Sequence, residues 1–399
     1  MKKASLLSLA ILILAAAAAA VEGSGAGTVD GLWVATISDS QVKLRLTVFG
    51  EGDKDEWNTT LTVPRARLTG LELEKDHSFK MTGDAGTITF AGKFTGTKGS
   101  GSFTFAPDAG FISFLEGKKF GRPEDKDLLF LLTGNIDKAY IQELERLGYK
   151  DVSSSRLVEL AIFGVTREYI KEMQALGWKD LTLSKLVEFK IHGVTKEFID
   201  EMARAGIKDL SPAKAVELRI FDIGPEYLQS VKSYGLGEVT LDRAVEFKIH
   251  GVTKEYIDEM VKAGFKDLTQ AKVVELRIHN ITPDYLQSVK SYGLGEITLD
   301  RAIEFKIHGI SKEYIDEMVK IGFKDLSPDK IVELKIHGLT GAYIREIRSA
   351  GFPDLALEKI LEFKIHGIDK DYIQYCRDLL KGKKELSPDR VISMKINGI

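Results

Sequence analysis

The chain has 399 residues, 44% of them hydrophobic and 29% charged, and a net charge of −3. That length exceeds one ordinary core and predicts two or more folded parts, and the composition excludes a disordered chain. The near-balanced charge excludes a general attraction to nucleic acid or to an anionic membrane.

Residues 1–20, MKKASLLSLAILILAAAAAA, set two lysines before an apolar run that ends in small residues. This is the pattern of a secretory signal peptide cut near Ala20, and it predicts a periplasmic or secreted protein. The competing reading is an uncleaved anchor, which the weakly inserting alanines disfavour. No later segment reaches transmembrane length, so no membrane span is expected in the mature chain. The single cysteine, Cys376, cannot form an internal disulfide and reads as a small helical residue.

Residues 25–107 form the next part. Alternating apolar residues over 32–37, 42–48, 57–63, 77–82, 86–96 and 99–107 predict strands, and glycine-rich turns separate them. Val42, Leu44, Leu46 and Val48 share one face, with Lys43, Arg45 and Thr47 on the other. The expected fold is a small antiparallel β barrel or sandwich. Gly31-Leu32-Trp33 resembles the Gly-x-Trp opening of lipocalin-like barrels. The resemblance implies a cavity for a small apolar ligand. The residues alone suggest instead that Trp33 plugs the end of a small core.

From residue 135 the period becomes 29. Units start at Asn135, Gly164, Gly193, Asp222, Gly251, Asn280, Gly309, Gly338 and Gly367, and residues 193–250 match 251–308 at 45 of 58 positions. In the unit 251–279, Thr253 is a helix N-cap candidate, and Tyr256, Ile257 and Met260 make an apolar stripe. Gly264 ends that helix. Thr269 starts a second one carrying Val273, Val274, Leu276 and Ile278, and His279 closes it. Ser211-Pro212, Gly224-Pro225, Thr282-Pro283, Ser327-Pro328 and Ser387-Pro388 mark helix starts, because proline suits the first helical position. VVELRIH also alternates with period two, so a strand-plus-helix repeat competes, but the proline marks favour two helices. The fold class predicted is α+β, a β domain followed by an α-solenoid of nine units over 135–399, with 108–134 as a degenerate capping unit.

His192, His250, His279, His308, His337 and His366 each close a unit. Units stacked ~9–10 Å apart cannot easily share one metal ion, whose ligands lie ~2 Å from the centre. Capping of a helix end is the favoured role, beside a metal ligand or a pH sensor. Glutamates recur in the second helix with a base two residues later. Glu188 and Lys190, Glu246 and Lys248, Glu304 and Lys306, and Glu333 and Lys335 belong to these ridges. They read as a solvated charged face or as a partner surface.

No glycine-rich phosphate loop, Gly-x-Ser-x-Gly elbow or His-Glu-x-x-His pair occurs, so no catalytic, cofactor-binding or metal residue is nominated and no enzyme is expected. The array resembles bacterial exported repeats written around HGVT-x-E-Y-I. Similar units are attached to antirepressor-type metallopeptidases that sense cell-wall antibiotics. The resemblance implies sensing or assembly in the cell envelope. The peptidase's membrane helices and metal motif are missing here, so no protease activity follows. The expected function is an exported non-enzymatic scaffold that binds a partner protein through its repeats. The alternative is a carrier or sensor of a small apolar ligand, held in the β domain.

Overall fold

Strict alternation along the early strands turns one side chain in two toward a common core. In the computed structural model, which describes residues 27–48, 57–150, 152–178, 181–381 and 384–399, those strands form one six-stranded antiparallel sheet. The signal-peptide expectation at 1–20 lies outside the described residues. The strands are β1 (Val29–Ile37), β2 (Gln41–Val48), β3 (Trp57–Pro64), β4 (His77–Gly83), β5 (Gly86–Thr95) and β6 (Lys98–Pro107), and their order is β3-β2-β1-β6-β5-β4.

β3 and β4 are the two edges and do not pair as strands, so the ladder does not close into a barrel. A single bridge, Thr69 to Lys80, ties the connection after β3 to β4. The sheet nevertheless curls. A flat sheet would set β1 and β4 about 14 Å apart, yet the rings of Trp33 on β1 and Phe79 on β4 meet at 5.4 Å. Trp33 stands opposite Gly101, which in turn pairs with Gly92. A Cβ on Gly92 would come within 3.0 Å of the Trp33 ring. The missing side chains leave the indole room to reach across β6, where its Nε1 donates to the Ala91 carbonyl at 3.2 Å. Phe79, Phe90, Phe94 and Phe105 are fully buried with Trp33 and fill the inner side of the sheet.

The chain divides into two compact bodies, Met1–Ile220 and Phe221–Ile399. In the first, helices Ala109–Gly117 and Asp125–Thr133 follow the sheet. Phe111, Leu115, Leu128 and Leu129 are buried, Trp57 meets Phe130 at 4.9 Å, and Arg67 donates to the Leu132 carbonyl at 3.1 Å. Three helical hairpins complete this body: Lys138–Arg146 with Ser154–Ile162, Arg167–Ala175 with Leu183–His192, and Lys196–Arg204 with Pro212–Ile220.

The second body holds six hairpins: Pro225–Lys232 with Leu241–His250, Lys254–Lys262 with Gln270–Ile278, Pro283–Lys290 with Leu299–Ile307, Lys312–Lys320 with Pro328–Ile336, Gly341–Ser349 with Leu357–Ile365, and Lys370–Leu380 with Pro388–Ile396. VVELRI is therefore helix, not strand. Thr253 and Thr269 cap their helices by accepting from the Tyr256 and Lys272 amides, each at 3.2 Å. Among the described residues, no helix is long and apolar enough to cross a membrane.

The glycine that follows five of the six histidines has a definite task. Gly251 turns left-handed at φ 64°, which lets Val252 N–H reach back to the Phe247 carbonyl at 2.8 Å. That six-to-one bond is the Schellman closure of a helix end. Where glycine is replaced at this point, Asn135, Asp222 and Asn280 take φ of 59°, 54° and 51°. These are the side chains that tolerate the left-handed region best.

Candidate functional site

The solvent side of the second helices carries the recurring charges. Each recurring glutamate pairs with the base three residues before it, one helical turn away: Glu188 with Lys185, Glu246 with Arg243, Glu304 with Arg301, and Glu333 with Lys330. The base two residues after the glutamate points elsewhere. It crosses the hairpin and lies over the aromatic ring of its partner helix. Lys190 sits 3.9 Å from the Tyr169 centroid, Lys248 4.6 Å from Tyr227, Lys306 4.5 Å from Tyr285 and Lys335 4.5 Å from Tyr314. The expected acidic and basic ridges are therefore two different devices. One is a helix-surface ion pair, and the other is a cation held on a ring inside the unit.

Further ties run between successive units of one body. Lys272 pairs with Asp300, and Arg301 with Asp329. Tyr256 donates its hydroxyl to the Ile281 carbonyl at 2.8 Å, and Tyr314 to Leu339 at 2.9 Å. Burial pushes both phenols up to about 12. In the first body, Tyr140 and Tyr169 make the same bond to Val165 and Val194 at 2.6 and 2.7 Å.

His279, His308, His337 and His366 stand at the C-caps of their helices, and His192 and His250 are the last residues before a glycine C-cap. The carbonyl of His250 is taken by Arg277 Nε at 3.1 Å and that of His192 by Arg219 at 3.3 Å. The imidazoles of His192, His250, His279, His308 and His366 are half-buried and His337 is exposed; among the described residues none of these rings has a hydrogen-bond partner. Nor do any three His, Cys, Asp or Glu side chains among the described residues gather as metal ligands would. Cys376 is buried, and its burial pushes the thiol above its ordinary value, which suppresses thiolate chemistry.

The residue that sequence reasoning passed over is the isoleucine before the histidine. Ile278 falls one turn after Val274, so helical period assigns both to the core. Val274 is buried, but Ile278 is 54% exposed. The same holds for Ile249, Ile307, Ile336, Ile365 and Ile396 in the second body, and for Ile162, Ile191 and Ile220 in the first. All nine units keep isoleucine here. That sameness at a solvent position was the available signal. Within one body, packed neighbouring helices set such side chains roughly 10 Å apart.

No family model, no curated protein and no solved structure matches this chain.

Proposed function

We propose that the protein is an exported, non-enzymatic scaffold that binds a partner protein through the second helices of its repeats, in sensing or assembly at the cell envelope. One observation carries this reading. An exposed isoleucine recurs in every unit, beside glutamates already neutralised by the base one turn back. A row of half-exposed aliphatic side chains, with its flanking charges internally paired, suits an apolar partner stripe. Burying the free half of each isoleucine contributes roughly 1 kcal/mol, so the row supplies one share of the binding energy and the partner's other contacts supply the rest. The leader pattern at 1–20 supports export. The ligand-carrier alternative has less support, because aromatic rings occupy the inner side of the sheet.

The test is a cross-linking capture from envelope extract, with the natural chain and an I278K/I307K/I336K variant. The reading expects one protein to be captured by the natural chain and lost with the variant, whose helicity by circular dichroism is unchanged. Equal capture by both removes the isoleucine row as the binding surface.

A further inference from the structure

On the solvent face of the sheet, four cations cluster that have no partner among the described residues. The strand register sets its side chains in rows. One row runs Thr62, Lys43, Thr36, Lys98, Thr95 from β3 across to β5. The next runs Thr60, Arg45, Val34, Ser100, Lys93. All ten side chains are exposed. Strands ~4.8 Å apart and same-face residues ~6.8 Å apart confine the four cations to a patch roughly 15 by 7 Å. Among the described residues, Lys43, Arg45, Lys93 and Lys98 have no ion pair, side-chain hydrogen bond or ring contact.

Among the described residues the acids lie at the margins, and one of them, Glu74, stands at the turn between β5 and β6, where its carboxylate accepts from the Gly96 amide. Asp39 is in the turn after β1, and Asp30 is four residues back along β1 from Val34. Val34, 52% exposed, stands within the second row, and Leu32, 49% exposed, stands one row beyond it, opposite Thr47 and Ser102. A chain net charge of −3 hides this local excess.

We propose that this face docks the protein on an anionic lipid surface. The four cations meet lipid phosphates, and Leu32 and Val34 enter the boundary between headgroups and acyl chains. Charge complementarity selects an anionic partner, because each base near such a surface adds attraction that salt screens. The exposed aliphatic pair selects a bilayer over a soluble polyanion. A polyanion would use the cations and leave Leu32 and Val34 in water, whereas an interface rewards their burial. This surface is separate from the isoleucine row, so its test stands apart from that reading.

The experiment is vesicle co-sedimentation of the chain from Val21 onward, which keeps every described residue and omits the apolar leader. Vesicles containing phosphatidylglycerol are compared with vesicles of phosphatidylcholine alone, at about 0.1 M salt and again at about 0.5 M, where the screening length is halved or less. The expected result is binding to the anionic vesicles only, weakened by salt. K43E/R45E/K98E should weaken it roughly tenfold or more. L32S/V34S should weaken it to a smaller degree, and K266E/K324E, which reverses exposed charge in the helical part, should leave it intact. Equal binding to both vesicle types, or none to either, overturns the proposal. So does retention on a heparin column that K43E/R45E/K98E abolishes, if L32S/V34S leaves vesicle binding unchanged. That pattern would assign the face to a soluble polyanion.

Discussion

In the helical units, each cation two residues after a recurring glutamate lies on a ring in the same hairpin, as Arg277 does 4.9 Å from Tyr256. On the sheet, Lys43, Arg45, Lys93 and Lys98 are exposed and have no partner among the described residues. Similar residue types therefore serve two ends. In a stack whose units touch only their neighbours, every junction needs its own fastening, and the repeated cations, tyrosines and ion pairs supply it. The sheet has a common aromatic core and needs no such fastening from its surface.

The two regions should break differently. Phe305 in a second helix and Phe90 on β5 are both fully buried, and truncating either to alanine should cost about 3–5 kcal/mol. In the sheet, Phe90→Ala should lower the stability of all six strands together. In the repeats, Phe305→Ala should raise hydrogen exchange in the units around 280–337 and leave the strands protected. Exchange followed by mass spectrometry decides this. Uniform loss of protection after Phe305→Ala would show that the chain unfolds as one block.

A middle-sized effect concerns the cations directly. Arg277→Met removes a ring contact and the bond to the His250 carbonyl, and should cost about 1–2 kcal/mol. Lys43→Met on the sheet should stay within about 0.5 kcal/mol. Denaturant melts of the two variants compare the regions, and equal costs would erase the distinction drawn between them.

Tyr256→Phe deletes the hydroxyl bonded to the Ile281 carbonyl and should cost about 1 kcal/mol. The same phenols give a pH signature. Tyr256, Tyr314 and Tyr372 are pushed up to about 12 in the folded chain, against about 10 when unfolded. The folded state thus holds the proton more tightly. Their contribution is fully present below pH ~10 and is lost as the pH climbs toward ~12, because the unfolded chain releases protons first. Melting temperature against pH should fall in that window, less steeply in Tyr256→Phe. A flat profile would mean that the hydroxyls are not buried donors.

Much of this architecture was legible in the sequence because it rests on local chemistry. The 29-residue period, the Thr and Ser caps and the Ser-Pro starts each name a helix boundary without help from tertiary structure. The strands were equally plain from alternation. What stayed hidden depends on which distant parts meet. Trp33 reaches over Gly101 and Gly92 only because of strand register, and Lys306 finds the Tyr285 ring only once the hairpin folds. In most units a base also stands two residues after the recurring glutamate. Helix geometry points those two apart and favours the base three residues back, so that part was open to stricter reading.

The isoleucine row gives the smallest effect on stability and the sharpest contrast with the buried positions beside it. Ile307 is 56% exposed, whereas Ile303, one turn earlier, is 4% exposed. Ile307→Ser should therefore change stability by no more than about 0.5 kcal/mol, while Ile303→Ala should cost about 2–5 kcal/mol. Thermal melts read both. If Ile307→Ser costs as much as a core truncation, the last turn of the helix is covered by something in the folded chain, and the row is not free to bind. If it costs nothing, an apolar residue kept in all nine units contributes little to folding, and a partner's apolar stripe becomes the remaining use for it.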